Sequence, residues 1–362
     1  MNANELQTFV NNLCADDLSK LFQIIDTNKD AIISSKVSNH QIIKRERSKN
    51  NKQSCPLCKS ISIVMNGRTK TNRQKYYCKN CHKNFSDTTN TIAYRSKMPY
   101  KVWNQVISDT LERKPLRQTA QMAGVSTTTA FAWRHKIMAT LSTYKKDDSN
   151  NLSSIIEADS FYFPINLKGT KSHKMPRFSK KRTNSAKRGT SNHKVCVFTA
   201  VDDLDHTLIE IAGIGPESID KLMPFKTRFN EESLLITDSK AAYIEFAKSN
   251  NMTLDQIPSG FKVSNEGNNI STVNGMHSQI RTFLSPFRGV SIKHLQGYLN
   301  LFRFYKDLRY TTEYTDMNDT TYCHAMPHYS SVFINDIYNK VIPIDLFKAY
   351  GDYNYGIYAE SA

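Results

Sequence analysis

From Ile155 onward, apolar residues fall into short runs set apart by polar turns. IIEADSFYFPI (155–165) has the length and β-branched or aromatic content of a strand. HKVCVFTAVD (193–202) and HTLIEIAGI (206–214) read as two more strands, joined by a short acidic turn. PESIDKLMPFKTRF (216–229) reads as a helix, LLITD (234–238) as a short apolar strand ending in an acid, and KAAYIEFAKSN (240–250) as a second helix. GFKVS (260–264) is expected to be a last strand, followed by helices over STVNGMHSQIRTFL (271–284) and IKHLQGYLNLFRFY (292–305). Three strands followed by alternating helices and strands predict an α/β domain.

Upstream the pattern changes. Residues 1–30 read as one or two short helices, and 36–53 as a polar, basic linker. Residues 99–145 have helical periodicity, broken by DDSNN (147–151). These breaks divide the chain into a helical segment with linker (1–53), a cysteine-rich module (54–90), a helical module (91–146), an α/β domain (152–310) with an insertion at 166–194, and a tail (311–362) rich in Tyr and Asn. The first residues, MNANELQTFVNNLCADDLSKLF, form an amphipathic pattern and not a basic start followed by an apolar block. With no run of about 18 apolar residues, no membrane span is expected; cysteines in two CxxC pairs, in a chain without a secretory start, fit a reducing cytoplasm.

Composition adds one feature, a formal net charge of +16. Such an excess on a globular chain points to nucleic acid as partner. It is concentrated between Lys168 and Lys194, which hold ten Lys or Arg and no acid. Lys180, Lys181, Arg182, Lys187 and Arg188 are therefore expected to contact DNA phosphates, with affinity driven by counterion release.

Four of the seven cysteines, Cys55, Cys58, Cys78 and Cys81, form C-x2-C-x19-C-x2-C. Two tight turns that each aim two thiolates at one point complete a closed tetrahedral site, so a structural Zn2+ ribbon is expected. A closed site has no open position for catalysis. Arg68, Lys70 and Arg73, between the two pairs, are candidate phosphate contacts. Cys14, Cys196 and Cys323 are read as ordinary cysteines; Cys323 with His324 and His328 lacks a fourth ligand.

PLRQTAQMAGVSTTTAFAWRHKIMATL (115–141) has the spacing of a helix-turn-helix. Gly124 supplies the turn and Ser126 an N-cap, and the second helix is expected to present Thr127, Thr128 and Arg134 to a DNA groove.

Three residues stand out in the α/β domain: Asp159 within its first strand, Asp238 ending the strand LLITD, and Asn274 on the helix 271–284, separated from Asp238 by 35 residues. Oxygen ligands converging at a sheet edge suit hard divalent cations and phosphoryl transfer. His277 and Arg281 share the helix face of Asn274 at i+3 and i+7, which makes them candidates for substrate or proton handling and for phosphate contact. Lys293 is a further DNA-contact candidate. Glu157 shares a strand face with Asp159 and is expected to be structural.

The element order is that of an RNase H-like (retroviral-integrase-like) core. The motifs EADSFYF (157–163), LLITDSKAAY (234–243), NISTVNGMHSQIRTFL (269–284), FRGVSIKHLQGYL (287–299) and WRHKI (133–137), with the cysteine ribbon upstream, resemble the ISXO2-like (fifteen-ninety-five) insertion-sequence DDE transposases over roughly residues 50–310. The resemblance implies catalysis by Asp159, Asp238 and Asn274 with Mg2+ or Mn2+, strand cleavage and joining, and an assembly of at least two chains on double-stranded DNA. Asn274 stands where the general DDE pattern has glutamate. Its amide oxygen can coordinate a cation but contributes no charge.

Overall fold

The computed structural model describes residues 54–69, 74–86, 88–144, 151–166, 194–287, 289–311 and 331–342. The chain divides into two compact units, Met1–Trp103 and Asn104–Ala362. Among the described residues, no helix is long and apolar enough to cross a membrane.

The first unit contains an antiparallel sheet of β1 (Ile63–Arg68), β2 (Gln74–Cys78) and β3 (Asn84–Ser86), with β2 in the middle. Its core is small: Cys55, Cys78 and Phe85 are buried, and Tyr76 stacks on Phe85 at 5.4 Å. So few apolar side chains give little burial energy.

The second unit begins with helices. α1 runs Tyr100–Leu111 across the division, α2 is Leu116–Met122, and α3 is Thr127–Leu141. Gly124 takes a φ of 63°, the left-handed turn that glycine adopts without Cβ strain. Ser126 caps α3 by accepting a hydrogen bond from the Thr129 N–H at 3.1 Å. The expected helix-turn-helix is therefore formed.

A five-stranded sheet follows, in the order β6-β5-β4-β7-β8. Its strands are β4 (Ile155–Pro164), β5 (Lys194–Asp202), β6 (Thr207–Ile214), β7 (Leu234–Asp238) and β8 (Thr253–Ile257). β4, β5 and β6 form an antiparallel meander, whereas β7 and β8 run parallel to β4. This is the RNase H-like arrangement expected from the order of apolar runs. β5 is buried along almost its whole length, as its continuous VCVFTAV predicts for a strand covered on both faces.

Between strands lie α4 (Ile219–Leu222), a 3-10 helix (Met223–Arg228) and α5 (Ala241–Ser249). After β8 come α6 (Ser271–Leu284), α7 (Ile292–Thr311) and α8 (Ser331–Asn339). On one face of the sheet, Ile156 and Ala158 of β4 pack with Phe198 and Ala200 of β5 against Tyr243 and Phe246 of α5. Phe198 lies within about 6 Å of Phe229 and Phe246, ring centre to ring centre. The opposite face of β4 carries Glu157, Asp159 and Phe161 toward α6 (Phe161 and His277 rings 4.5 Å apart).

Two expected elements differ. The single helix over 216–229 is a one-turn α-helix that tightens into a 3-10 helix, with Pro224 at its start. The last strand is Thr253–Ile257, not 260–264, which is a turn region. Asp255 and Gln256 hid β8 by interrupting its apolar pattern. Both side chains have partners: Asp255 accepts from Ser264 Oγ and Asn268 Nδ2, and Gln256 donates to the main chain beside Asp238.

α3 packs on α7. His135 and His294 stack at 3.9 Å between ring centres, and Arg303 donates to Ser142 O at 2.7 Å. Burial is the first cause that lowers His135 to about 3, His294 to about 4 and His277 to about 4; neighbouring cations add to it. In the unfolded chain these histidines take up protons near pH 6.5. Between about pH 6.5 and 4 the unfolded state thus binds more protons, and stability falls as pH falls. Asp159, raised to about 6, and Glu210, also raised, both mainly by burial, act in the opposite sense, but they are two groups against three. Metal-free protein should lose thermal stability from pH 7 to pH 5. His135→Phe should flatten that dependence by up to about 1.4 kcal/mol per pH unit below pH 6. Thermal unfolding across pH checks both, and a stability that rose on acidification would refute the assignment.

Candidate active site

Asp159 sits in the middle of β4 and Asp238 at the end of β7, on hydrogen-bonded neighbouring strands. The parallel pairing brings the two carboxylates to the same edge of the sheet. A third carboxylate joins them. Glu217, on the loop between β6 and α4, has a ligand oxygen within 4.8 Å of those of both Asp159 and Asp238. Its side chain is only 3% exposed.

Lys240, which precedes α5, is the counter-charge. Its Nζ lies 2.9 Å from Asp238 Oδ2 and 3.6 Å from Asp159 Oδ1, and it also pairs with Glu217 Oε1. Burial disfavours the ammonium, but its hydrogen bonds to the Asp238 and Glu217 carboxylates outweigh that and hold Lys240 above the ordinary lysine range. Burial pushes the Asp159 carboxyl up to about 6; the Lys240 charge opposes this and Asp238 adds to it. The main chain around the site is held by Gln256, whose Nε2 donates to Asp238 O at 2.9 Å and to Lys240 O at 3.2 Å.

His277 is buried beneath Asp159, not presented to substrate. Thr199 Oγ1 donates to Asp159 O at 2.7 Å, so its short 2.6 Å contact to His277 Nε2 assigns the ring proton to Nε2. The other ring nitrogen, Nδ1, faces Asp159 Oδ2 at 4.0 Å. With its pKa lowered to about 4, the ring is neutral near pH 7 and steadies the strand pair that carries Asp159.

Asn274 is exposed on the first turn of α6 and lines a cleft with Asp238, Ser239, Pro258 and Lys262. Arg281, two turns on, is exposed, with its guanidinium 5.8 Å from the centre of the Phe161 ring. Glu157 accepts from Thr272 Oγ1 at 2.6 Å and from the Val273 N–H at 3.0 Å. An acid satisfying the open N–H groups of a helix start fixes α6 to β4. Glu157 is therefore structural, as expected, and its two oxygens are already engaged.

The donor set suits a hard divalent cation. Three carboxylates converge, and Asp238 Oδ1 is buried with no hydrogen-bond partner among the described residues. Asp159 and Asp238 are well disposed to hold such an ion, with Asn274 across the cleft.

In the first unit the four predicted cysteines form the other candidate metal group among the described residues. Cys55 and Cys81 Sγ are 3.7 Å apart, and Cys58 and Cys78 Sγ are 3.5 Å apart. Sulfurs placed tetrahedrally about 2.3 Å from zinc would be about 3.8 Å apart. Each pair sits in a matching turn: Lys59 N donates to Cys55 O, and His82 N to Cys78 O. Lys59 and His82 both take left-handed φ values, 62° and 56°. The backbone N–H of Cys81 lowers the Cys78 thiol, whereas burial and the neighbouring thiols raise that of Cys81.

The remaining sequence candidates divide into three groups. Arg68 of β1 and Thr127 and Thr128 of α3 are exposed, and Lys293 of α7 is half-buried. Arg134 corrects an expectation: it is 5% exposed and donates to Lys114 O at 2.7 Å and to Thr119 Oγ1 at 3.0 Å. It joins α3 to α2 and is not available to a DNA groove. Lys70, Arg73, Lys180, Lys181, Arg182, Lys187 and Arg188 lie outside the described residues. Sequence reasoning missed Glu217 and Lys240. Lys240 is signalled by its place two residues after Asp238, whereas Glu217 carries no local signal.

The strand order defines an RNase H-like domain with two aspartates paired at one edge of its sheet. Residues 151–307 match the model of the ISXO2-like transposase domain. An uncharacterized protein in transposable element ISH50 of Halobacterium salinarum is 26% identical over 258 residues, covering 70% of this chain and 85% of the relative. Among solved structures, the simian T-cell lymphotropic virus intasome in complex with PP2A regulatory subunit B56 gamma is similar at 12% identity and a TM-score of 0.26, over 55% of this chain and 67% of the other. A pre-cleavage Mos1 transpososome is similar at 11% identity and a TM-score of 0.19, over 57% and 78%. At these scores the strand order, not the superposition, defines the fold.

Proposed function

We propose that the protein is a DNA transposase that binds the ends of its own insertion sequence, cleaves a strand there and joins it to target DNA. The observation that carries this is the meeting of Asp159 and Asp238 on adjacent strands of a domain whose family is transposase. Asp159, Asp238 and Asn274 would hold Mg2+ or Mn2+, which supplies Lewis-acid stabilisation of the charge that develops at a phosphoryl oxygen. His277 keeps Asp159 in position from beneath. Arg281, exposed on the face of Asn274, meets a DNA phosphate near the reacting bond. Lys293 adds a contact further along the duplex.

End recognition falls to Thr127 and Thr128 of α3, with Arg68, Lys70 and Arg73 of the ribbon on the phosphates. The segment with Lys180, Lys181, Arg182, Lys187 and Arg188 clamps the backbone. Joining requires two ends in one assembly, so the active form contains at least two chains and acts on chromosomal DNA in a bacterial cytoplasm.

Incubating the full-length protein with duplexes carrying the element ends and Mg2+ or Mn2+ tests this reading. Nicks at the ends and joined products are expected. End binding without nicks with either metal would make the protein a regulator, and nicks without joined products a nuclease.

Two further outcomes follow. The ribbon should hold one Zn2+ per chain. Cys78→Ser should lose it and weaken end binding while the second unit keeps its unfolding transition; a metal-free protein with full end binding would refute the zinc site. Neutralising Lys180, Lys181, Arg182, Lys187 and Arg188 together should weaken DNA binding and make its salt dependence shallower by up to about 4 units of slope. An unchanged slope would show that the segment does not touch the backbone.

A further inference from the structure

An amide at position 274 leaves the triad read from the sequence one negative charge short. The structure brings a third carboxylate from another element. Glu217 reaches Asp159 and Asp238 from the loop after β6, and the loop that carries it is firmly held. Its own N–H donates to Tyr162 Oη at 3.3 Å, the Gly215 N–H donates to Lys194 O at 2.7 Å, and Lys221 Nζ donates to Ile214 O at 2.6 Å. Gly215 takes a φ of 80°, a conformation that strains other residues.

A buried carboxylate beside two others is unfavourable unless a cation compensates it. Here the cation is Lys240, which touches all three. It does not satisfy them fully, since Asp238 Oδ1 stays without a hydrogen-bond partner. One ammonium also leaves two of the three carboxylate charges uncompensated, so the cluster still attracts a cation. The Lys240 side chain is 36% exposed.

We propose that Glu217 is the third anionic ligand of the catalytic cation, replacing the charge that Asn274 lacks, and that Lys240 is a built-in counter-ion that withdraws when the cation enters. This rests on the transposase reading of the same site. Asn274 then contributes a neutral oxygen from across the cleft, and its loss costs less than that of Glu217.

The test is titration of the full-length protein with Mn2+ alone, followed by electron paramagnetic resonance of free Mn2+, beside the end-cleavage assay. Glu217→Gln keeps the shape and removes the charge. It should weaken Mn2+ binding at least tenfold and reduce cleavage more than Asn274→Ala does, with Glu217→Asp recovering part of both. Lys240→Met should tighten Mn2+ binding, because the competing charge is gone. That second variant decides the matter if Glu217→Gln fails to fold. Wild-type Mn2+ affinity in Glu217→Gln, or unchanged or weaker affinity in Lys240→Met, would overturn the proposal. If Asp159→Ala still lost Mn2+ in that case, only this inference would fall. If Asp159→Ala also bound and cleaved normally, the transposase reading would fall with it.

Discussion

Replacing either aspartate at the sheet edge should stop the chemistry and leave DNA binding intact. Asp159→Ala and Asp238→Ala each remove a charged oxygen from a cluster whose ligand atoms lie within 4.8 Å of one another. Each loss should lower end cleavage and joining by roughly 1000-fold or more, which corresponds to about 4 kcal/mol of transition-state stabilisation. End binding, measured by gel shift, should stay within about twofold, because the contacts assigned to DNA lie on other elements. Removing a carboxylate also relieves repelling negative charge, so thermal stability should not fall. Parallel cleavage and binding assays on the same preparations check this. Near-normal cleavage in both variants would remove these residues from catalysis.

The second large effect is on stability and comes from Arg134. The guanidinium is buried between α3 and α2, and burial lowers its pKa from the usual arginine range. Arg134→Ala would strand Lys114 O and Thr119 Oγ1, in a region where Thr119 itself is fully buried, and leave a cavity. Such losses cost about 2–4 kcal/mol in total. In a unit of this size the unfolding temperature should fall by roughly 5–15 °C. Thr127→Ala and Thr128→Ala, at exposed positions, should leave that temperature nearly unchanged and weaken end binding. A stable Arg134→Ala protein with weakened end binding would reverse this and restore Arg134 to the DNA surface.

Arg134 also shows where sequence reading reaches its limit. Helical spacing identified α3, its serine cap and its glycine turn, because those are local effects. It did not show that α7 covers much of that helix, since the partner lies some 160 positions later in the chain. An arginine in a basic, helix-turn-helix-like segment looks like a groove contact until its neighbours are known. The strands behave in the same way. β4 to β7 were legible as apolar runs, while β8 was hidden by Asp255 and Gln256, whose side chains hold a loop and the backbone beside Asp238.

The site divides along the same line. Asp159 and Asp238 stand out because each sits on a strand whose place in the sheet follows from element order. Glu217 comes from an irregular loop after β6, and only the folded chain brings it to them. His277 was expected on the helix face of Asn274. It is on the neighbouring, buried flank of α6, where Thr199 and Phe161 enclose it. Helical spacing places residues on a face to within about a turn, and tertiary packing decides which of them reaches solvent.

The most direct test of the central claim is anomalous scattering from crystals of the protein grown with Mn2+ and element-end DNA. The account predicts a manganese peak between the Asp159 and Asp238 carboxylates, with the Lys240 ammonium moved away from both. Ordered DNA ends with saturating Mn2+ and no peak at these two residues would contradict it.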